Sequence, residues 1–192
     1  MERKPDVYIV LTDTGTLFTK TIKYFTKDPF NHASLAFDAD LKEVYSFGRK
    51  SPGNPFVGGF VKEDMRGGLF RQAVCAVYRC PVTPCEYDFM RQFIAEMERD
   101  QELYRYNLLG VIALLFNIQM KREKAYFCSQ FVADVFERSG IALIRKSPLL
   151  VKPGDFPCTP MLELAYEGIL RAYVERNDHV KRPVQAVKTR TA

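Results

Sequence analysis

The sequence predicts an α+β domain, on three observations. Strand-like alternation dominates the first half of the chain, helical periodicity dominates most of the second, and the two are segregated rather than strictly interleaved. The chain has 192 residues, 47% of them hydrophobic, which is enough to bury one real core. No repeat or low-complexity tract interrupts the pattern, so one domain is expected over residues 1–174, followed by a basic, flexible tail over 175–192.

Val7–Thr12 reads as the first strand. DTGTLFTKTIKYFTKDPF then suits a short helix: Thr14 or Thr16 caps it, Leu17, Ile22 and Phe25 give it a face, and Asp28-Pro29 closes it. In NHASLAF, Ala33, Leu35 and Phe37 alternate with His32, Ser34 and Ala36, the pattern of a half-buried strand. EVYSFGR (Glu43–Arg49) is its hairpin partner, with Val44, Ser46 and Gly48 on one face and Glu43, Tyr45 and Phe47 on the other. A loop rich in Gly and Pro leads to FVKED, and QAVCAVYRC supplies a further strand.

After Pro84 the period changes. Phe89, Phe93 and Met97 recur four residues apart and predict one face of a helix. Leu108–Phe116 is almost wholly apolar yet far short of the ~20 residues that cross a bilayer, so it is expected as a buried helix. A sharper reading is a greasy wall facing an acyl chain or a membrane surface. In YFCSQFVADVFERSG, Phe131, Val132, Val135 and Phe136 form a helical stripe that Ser139 and Gly140 stop. Thr159-Pro160, a cap followed by a first-turn proline, predicts a last helix through Val174.

Composition narrows the function. The N-terminus shows no signal-peptide pattern, so a cytoplasmic location is the default expectation. Five cysteines, an odd number, argue against a disulfide framework in such a chain. Cys75, Cys80 and Cys85 lie five apart and only two histidines exist, which argues against a metal site. The formal net charge is +5, of which +3 falls on residues 175–192. That tail lacks the aromatic interleaving of a single-strand binder, so no nucleic-acid partner is expected.

Cys128 begins the striped helix, where free N–H groups and the helix dipole favour a thiolate. A cysteine hydrolase also needs an imidazole, and the choice is His32 or His179. His179 lies in the charged tail; His32 begins a strand that can hold it still.

FNHASLAF followed by YFCSQFVADVFERSGI resembles the circularly permuted branch of the NlpC-type papain-like cysteine hydrolases, related to lecithin–retinol acyltransferase and bacterial amidase-like proteins. In that branch the histidine strand precedes the cysteine helix, which is the order here. The opening PDVYIVLTDTGTLFTKTI and the Tyr106–Gly110 stretch also look like the family, and the likeness spans about residues 5–170. The resemblance implies a permuted papain-like fold, a small antiparallel sheet against the cysteine helix. It makes Cys128 the nucleophile and His32 the base and acid. Its third polar position falls on Ser46, where a hydroxyl can accept from imidazole but brings no charge. A register slip would exchange Ser46 for Glu43 or Tyr45, and Glu63 is a further candidate. The N–H of Cys128 is the expected oxyanion donor, with Tyr126 as possible support.

The expected function is hydrolysis or acyl transfer on an amide or ester through a thioester. No cofactor and no metal are called for, and the substrate is a small molecule, a peptide or a lipid-like compound. The competing expectations are a non-catalytic binding or scaffold protein on the same fold, and an adaptor acting through the basic tail.

Overall fold

The computed structural model describes residues 4–13, 28–49 and 58–180. Among the described residues eight strands run in chain order: β1 (Asp6–Asp13), β2 (His32–Ala36), β3 (Val44–Arg49), β4 (Gly58–Lys62), β5 (Val74–Pro81), β6 (Arg105–Tyr106), β7 (Ala125–Tyr126) and β8 (Glu163–Ile169). The helices are α1 (Pro84–Arg99), α2 (Leu108–Leu115), α3 (Cys128–Arg138) and α4 (Leu170–Val180). Six strands form one antiparallel sheet in the order β4-β3-β2-β1-β5-β8, and the domain is α+β.

Alternation along these strands feeds two cores. Leu11, Ala33, Leu35, Tyr45, Phe47 and Phe60 point to one face and meet Phe131, Val132, Val135 and Phe136 of α3. Val10, Ala36, Val44, Cys75 and Val77 point to the other and meet Leu170, Tyr173 and Val174 of α4. β2 is therefore covered on both faces, not half-buried: its residues from Ala33 to Ala36 are all buried. Phe131 touches the rings of both Phe47 (5.2 Å) and Phe60 (5.9 Å), and truncating such a side chain to Ala costs about 3–5 kcal/mol.

Local signals place the helix ends well. Thr83 and Glu86 form a reciprocal capping box at α1, with Pro84 in its first turn. Gly140, at φ +89°, takes the left-handed conformation that follows α3. The buried side of α1 is Met90, Ile94 and Met97; Phe89 is exposed, and its ring stacks on Phe93 instead of entering the core. Only Met97 of the expected Phe89–Phe93–Met97 face is a core residue, because the helix is rotated by about one position toward the unbranched methionines.

Two expectations fail on tertiary context. The segment after Pro160 is not helical at first: β8 pairs antiparallel with β5 and becomes the sheet's edge, and only then does α4 begin. An open β5 edge outweighs the local Thr-Pro signal. Residues 175–180, expected in the tail, belong to α4, and Asn177 donates from Nδ2 to the Ala39 carbonyl at 2.7 Å. The short helix expected within 14–28 lies outside the described residues, save for its end at Asp28.

β6 and β7 pair in parallel, with Tyr106 opposite Tyr126, and each runs straight into a helix. Asn107 donates its N–H to the Tyr126 carbonyl (2.8 Å) and caps α2 by accepting from Gly110 N–H (3.0 Å). This small bridge sets the first turns of α2 and α3 side by side. On the other flank, β4 packs so closely on this bridge that a Cβ at Gly59 would stand 2.4 Å from the Tyr104 carbonyl oxygen.

Candidate active site

β2 and β3 pair only at Leu35–Tyr45 and Ala36–Val44. Toward His32 the two strands part, and the first turn of α3 comes against that gap. Cys128 is 7% exposed there, with the His32 ring and the backbone N–H groups of Ala33 and Ser129 as the neighbours that act on its thiol. The helix start is itself organised: Gln130 accepts from Phe127 N–H (3.3 Å), and Ser129 donates to the Val151 carbonyl (2.7 Å).

His32, Ser34, Ser46 and Glu63 share the opposite sheet face from the aromatic core, as strand alternation requires. His32 Nε2 lies 2.8 Å from Glu63 Oε1. With Nε2 engaged by the carboxylate, Nδ1 is the nitrogen left for the thiol. Glu63 also accepts from Ser34 at Oε2 (2.5 Å) and from Ser46 at Oε1 (2.7 Å). A carboxylate that accepts from two hydroxyls and an imidazole is held in place and kept charged. The His32 ring rests 6.2 Å from that of Phe70, which helps shut water out.

Opposing effects decide the charges. Burial pushes the Cys128 thiol up, but the His32 partner and the N–H groups of Ala33 and Ser129 prevail, and it stands below its ordinary value. Burial likewise pushes His32 down, and the Glu63 carboxylate with the thiol contact carries it well above the usual imidazole value. Burial raises Glu63, while His32, Ser34 and Ser46 bring it below the usual carboxylate range. All three directions favour the charged form of each group, the thiolate, the imidazolium and the carboxylate.

The side chain that meets the His32 ring is thus Glu63, and Ser46 reaches only that carboxylate. Ser46 is fully buried and touches Glu63 rather than the imidazole, because β3 has already diverged from β2 at that level. Glu43 and Tyr45 are both engaged away from the site. Glu43 pairs with Arg91 at 2.6 Å, and Tyr45 is a core residue stacked on Phe60. The Tyr126 hydroxyl, expected as oxyanion support, donates to Asp134 at 3.0 Å, and its ring packs 4.9 Å from that of Phe47. The side chain of His179 is not among those described.

A narrow cleft opens beside Cys128, walled by Phe30, Tyr106, Val111, Leu114 and Phe127 and flanked by Asn31 and Lys152. Asn31 Nδ2 donates to Asp13 at 2.6 Å, which fixes the orientation of the amide. Its Oδ1 is buried with no partner among the described residues. Sequence patterns alone do not bring Asn31, Ser34 and Tyr106 to the site. Ser34 was the findable one, two residues from His32 and so on the same face of the strand. Among the described residues no group of three or more His, Cys, Asp or Glu is arranged to hold a metal ion.

Compared with protein-family models and with curated proteins, the chain matches none. The reading of the site therefore rests on its own geometry.

Proposed function

We propose that the protein is a cysteine hydrolase or acyltransferase of the permuted papain-like type, acting on an amide or ester through an acyl-enzyme thioester. The observation that carries this reading is the buried His32–Glu63 pair, 2.8 Å apart, with the imidazole as the neighbour that lowers the Cys128 thiol at the first turn of a helix. The order of its parts, histidine strand before cysteine helix, supports the permuted assignment.

The Cys128 thiolate attacks the carbonyl carbon, and the new S–C bond moves the carbonyl π electrons onto oxygen. The Cys128 backbone N–H, at the helix start, receives that charge in this reading. When the carbonyl re-forms, the C–N or C–O bond breaks and the leaving amine or alcohol takes the proton held on His32 Nδ1. Water, or an acceptor nucleophile in acyl transfer, then attacks the thioester and returns a proton to His32 as thiolate departs. Glu63 keeps the ring oriented and offsets its positive charge throughout.

Two features bear on the substrate. The apolar walls of the cleft suit an apolar acyl group. The unpartnered Asn31 acceptor suits an N–H donor, which an amide has and an ester lacks. A lone neutral hydroxyl at the imidazole would favour an inert binding protein, and the Glu63 carboxylate 2.8 Å from His32 supports the catalytic reading instead.

The test is trapping. Incubation with an activated p-nitrophenyl acyl ester should leave an acyl mass on the peptide carrying Cys128, and none in Cys128→Ala. An adduct distributed over the other cysteines equally, or none at all, contradicts the assignment.

A further inference from the structure

Helix α2 buries only one of its sides. Val111 and Leu114 are buried and, with Leu115, line the cleft at Cys128. Leu109, Ile112 and Phe116, on the far side, are 52%, 47% and 72% exposed. Spaced three and four residues apart, they form one stripe. Ile118, 55% exposed, extends the apolar surface past the helix end. The chain then continues as exposed Lys121, Arg122 and Lys124, with Glu123 the single acid among them.

Large apolar side chains gathered in one exposed stripe mark a contact surface. The chemistry of this one is two-part: an apolar stripe, followed in the chain by three exposed cations. A nucleic acid would use the cations and leave the stripe wet. A lipid–water interface uses both, since an amphipathic segment sinks its apolar face to the acyl boundary while its cations meet anionic headgroups. No helix among the described residues is long and apolar enough to cross a membrane, so the contact is with a surface.

We propose that α2 docks the protein onto an anionic lipid surface, with Leu109, Ile112 and Phe116 at the acyl boundary and Lys121, Arg122 and Lys124 on the lipid phosphates. Docking sets the cleft beside the lipid, because the opposite side of the same helix forms its wall. Binding itself needs no chemistry at Cys128.

The experiment is co-sedimentation of the full chain with vesicles of phosphatidylcholine alone and of phosphatidylcholine mixed with phosphatidylserine. Binding is expected to the mixed vesicles and to fall as salt rises. Phe116→Glu, and separately the charge reversal of Lys121, Arg122 and Lys124 to Glu, should each weaken it at least about tenfold. Phe116→Ser, a milder change at an exposed site, should weaken it less. Cys128→Ser should bind as the unaltered chain does, which separates this result from the fate of the catalytic reading. Absence of binding to the mixed vesicles, equal binding to both, or binding indifferent to Phe116→Glu overturns the proposal. Sedimentation as a dimer that Phe116→Glu dissociates, with no vesicle binding, assigns the stripe to a second copy and also overturns it.

Discussion

Cys128 and Cys75 are both buried, at 7% and 0% exposure, yet their surroundings drive the two thiols in opposite directions. Cys75 sits where β5 is paired on both sides, opposite Thr12 of β1 and Gly168 of β8, among Val10, Val77 and Leu170. Burial, with the Glu167 carboxylate, pushes its thiol up to about 12. Cys128 occupies the gap where β2 and β3 part, and there an imidazole and two backbone N–H groups outweigh burial and bring the thiol down. Burial alone therefore says little about a cysteine. What matters is whether the sheet is closed, with its N–H groups already paired, or open, with donors left over for a thiolate.

The largest effect expected from breaking this contrast is on turnover. His32→Ala should lower hydrolysis of an activated acyl ester by about 10²–10⁴-fold, the usual contribution of a positioned acid–base group. Cys75→Ala should leave the rate unchanged. Equal losses in both would mean that the contrast between the two thiols has no functional content.

Stability should follow the charges at the open site. Glu63 is held below its ordinary value, so its contribution is present above the unfolded carboxylate value of ~4.3 and is lost as pH falls through the lower folded value. Glu63→Gln should flatten that acid limb in a plot of Tm against pH. His32 is displaced upward, so its contribution is complete below ~6.5 and is lost as pH rises through the higher folded value. Cys128, displaced downward, gains stability over an overlapping range and masks this decline. Cys128→Ser should expose it, as a Tm that falls on going from about pH 6.5 to pH 8.5 more steeply than in the unaltered chain. A flat profile in Cys128→Ser would remove the raised imidazole from the account.

Smaller effects sharpen the comparison. Ser46→Ala takes a hydroxyl from the Glu63 carboxylate, and a hydrogen bond to a charged group is worth about 1.5–3 kcal/mol. Denaturant unfolding should register that loss, while turnover changes less than in His32→Ala because His32 keeps its carboxylate. Cys75→Ala, a small truncation in the closed half, should cost only about 1 kcal/mol. A larger penalty there would point to a packing role for Cys75 that its apolar neighbours do not suggest.

Much of this was legible in residues whose signals are local. The alternation of NHASLAF and EVYSFGR placed β2 and β3, and the stripe of YFCSQFVADVFERSG placed α3 with Cys128 at its start. What was not legible depends on partners distant in sequence. β8 is a strand because the β5 edge is open to it, which no pattern within Glu163–Ile169 declares. The family resemblance put the third position on Ser46, and alternation gives that residue its face but not its distance from His32. That distance depends on where β2 and β3 cease to pair. Glu63 ends up beside His32 because β4 folds back along β3, with Glu63 N–H donating to the Val44 carbonyl at 2.8 Å. The apolar run of α2 read as a buried helix, and only packing shows that Leu109, Ile112 and Phe116 stay outside.

The central claim is that Cys128 is a thiolate sustained by His32. The most direct measurement is the rate of alkylation of each cysteine by iodoacetamide across pH, read by peptide mass spectrometry, in the unaltered chain and in His32→Ala. The account predicts that Cys128 is labelled first near pH 6, with an apparent pKa well below the ~8.5 of a free thiol. His32→Ala should slow this labelling on the order of tenfold, the lost thiolate fraction being partly offset by greater intrinsic nucleophilicity. Labelling of Cys128 no faster than that of exposed Cys158, with a profile that His32→Ala leaves unchanged, would contradict it.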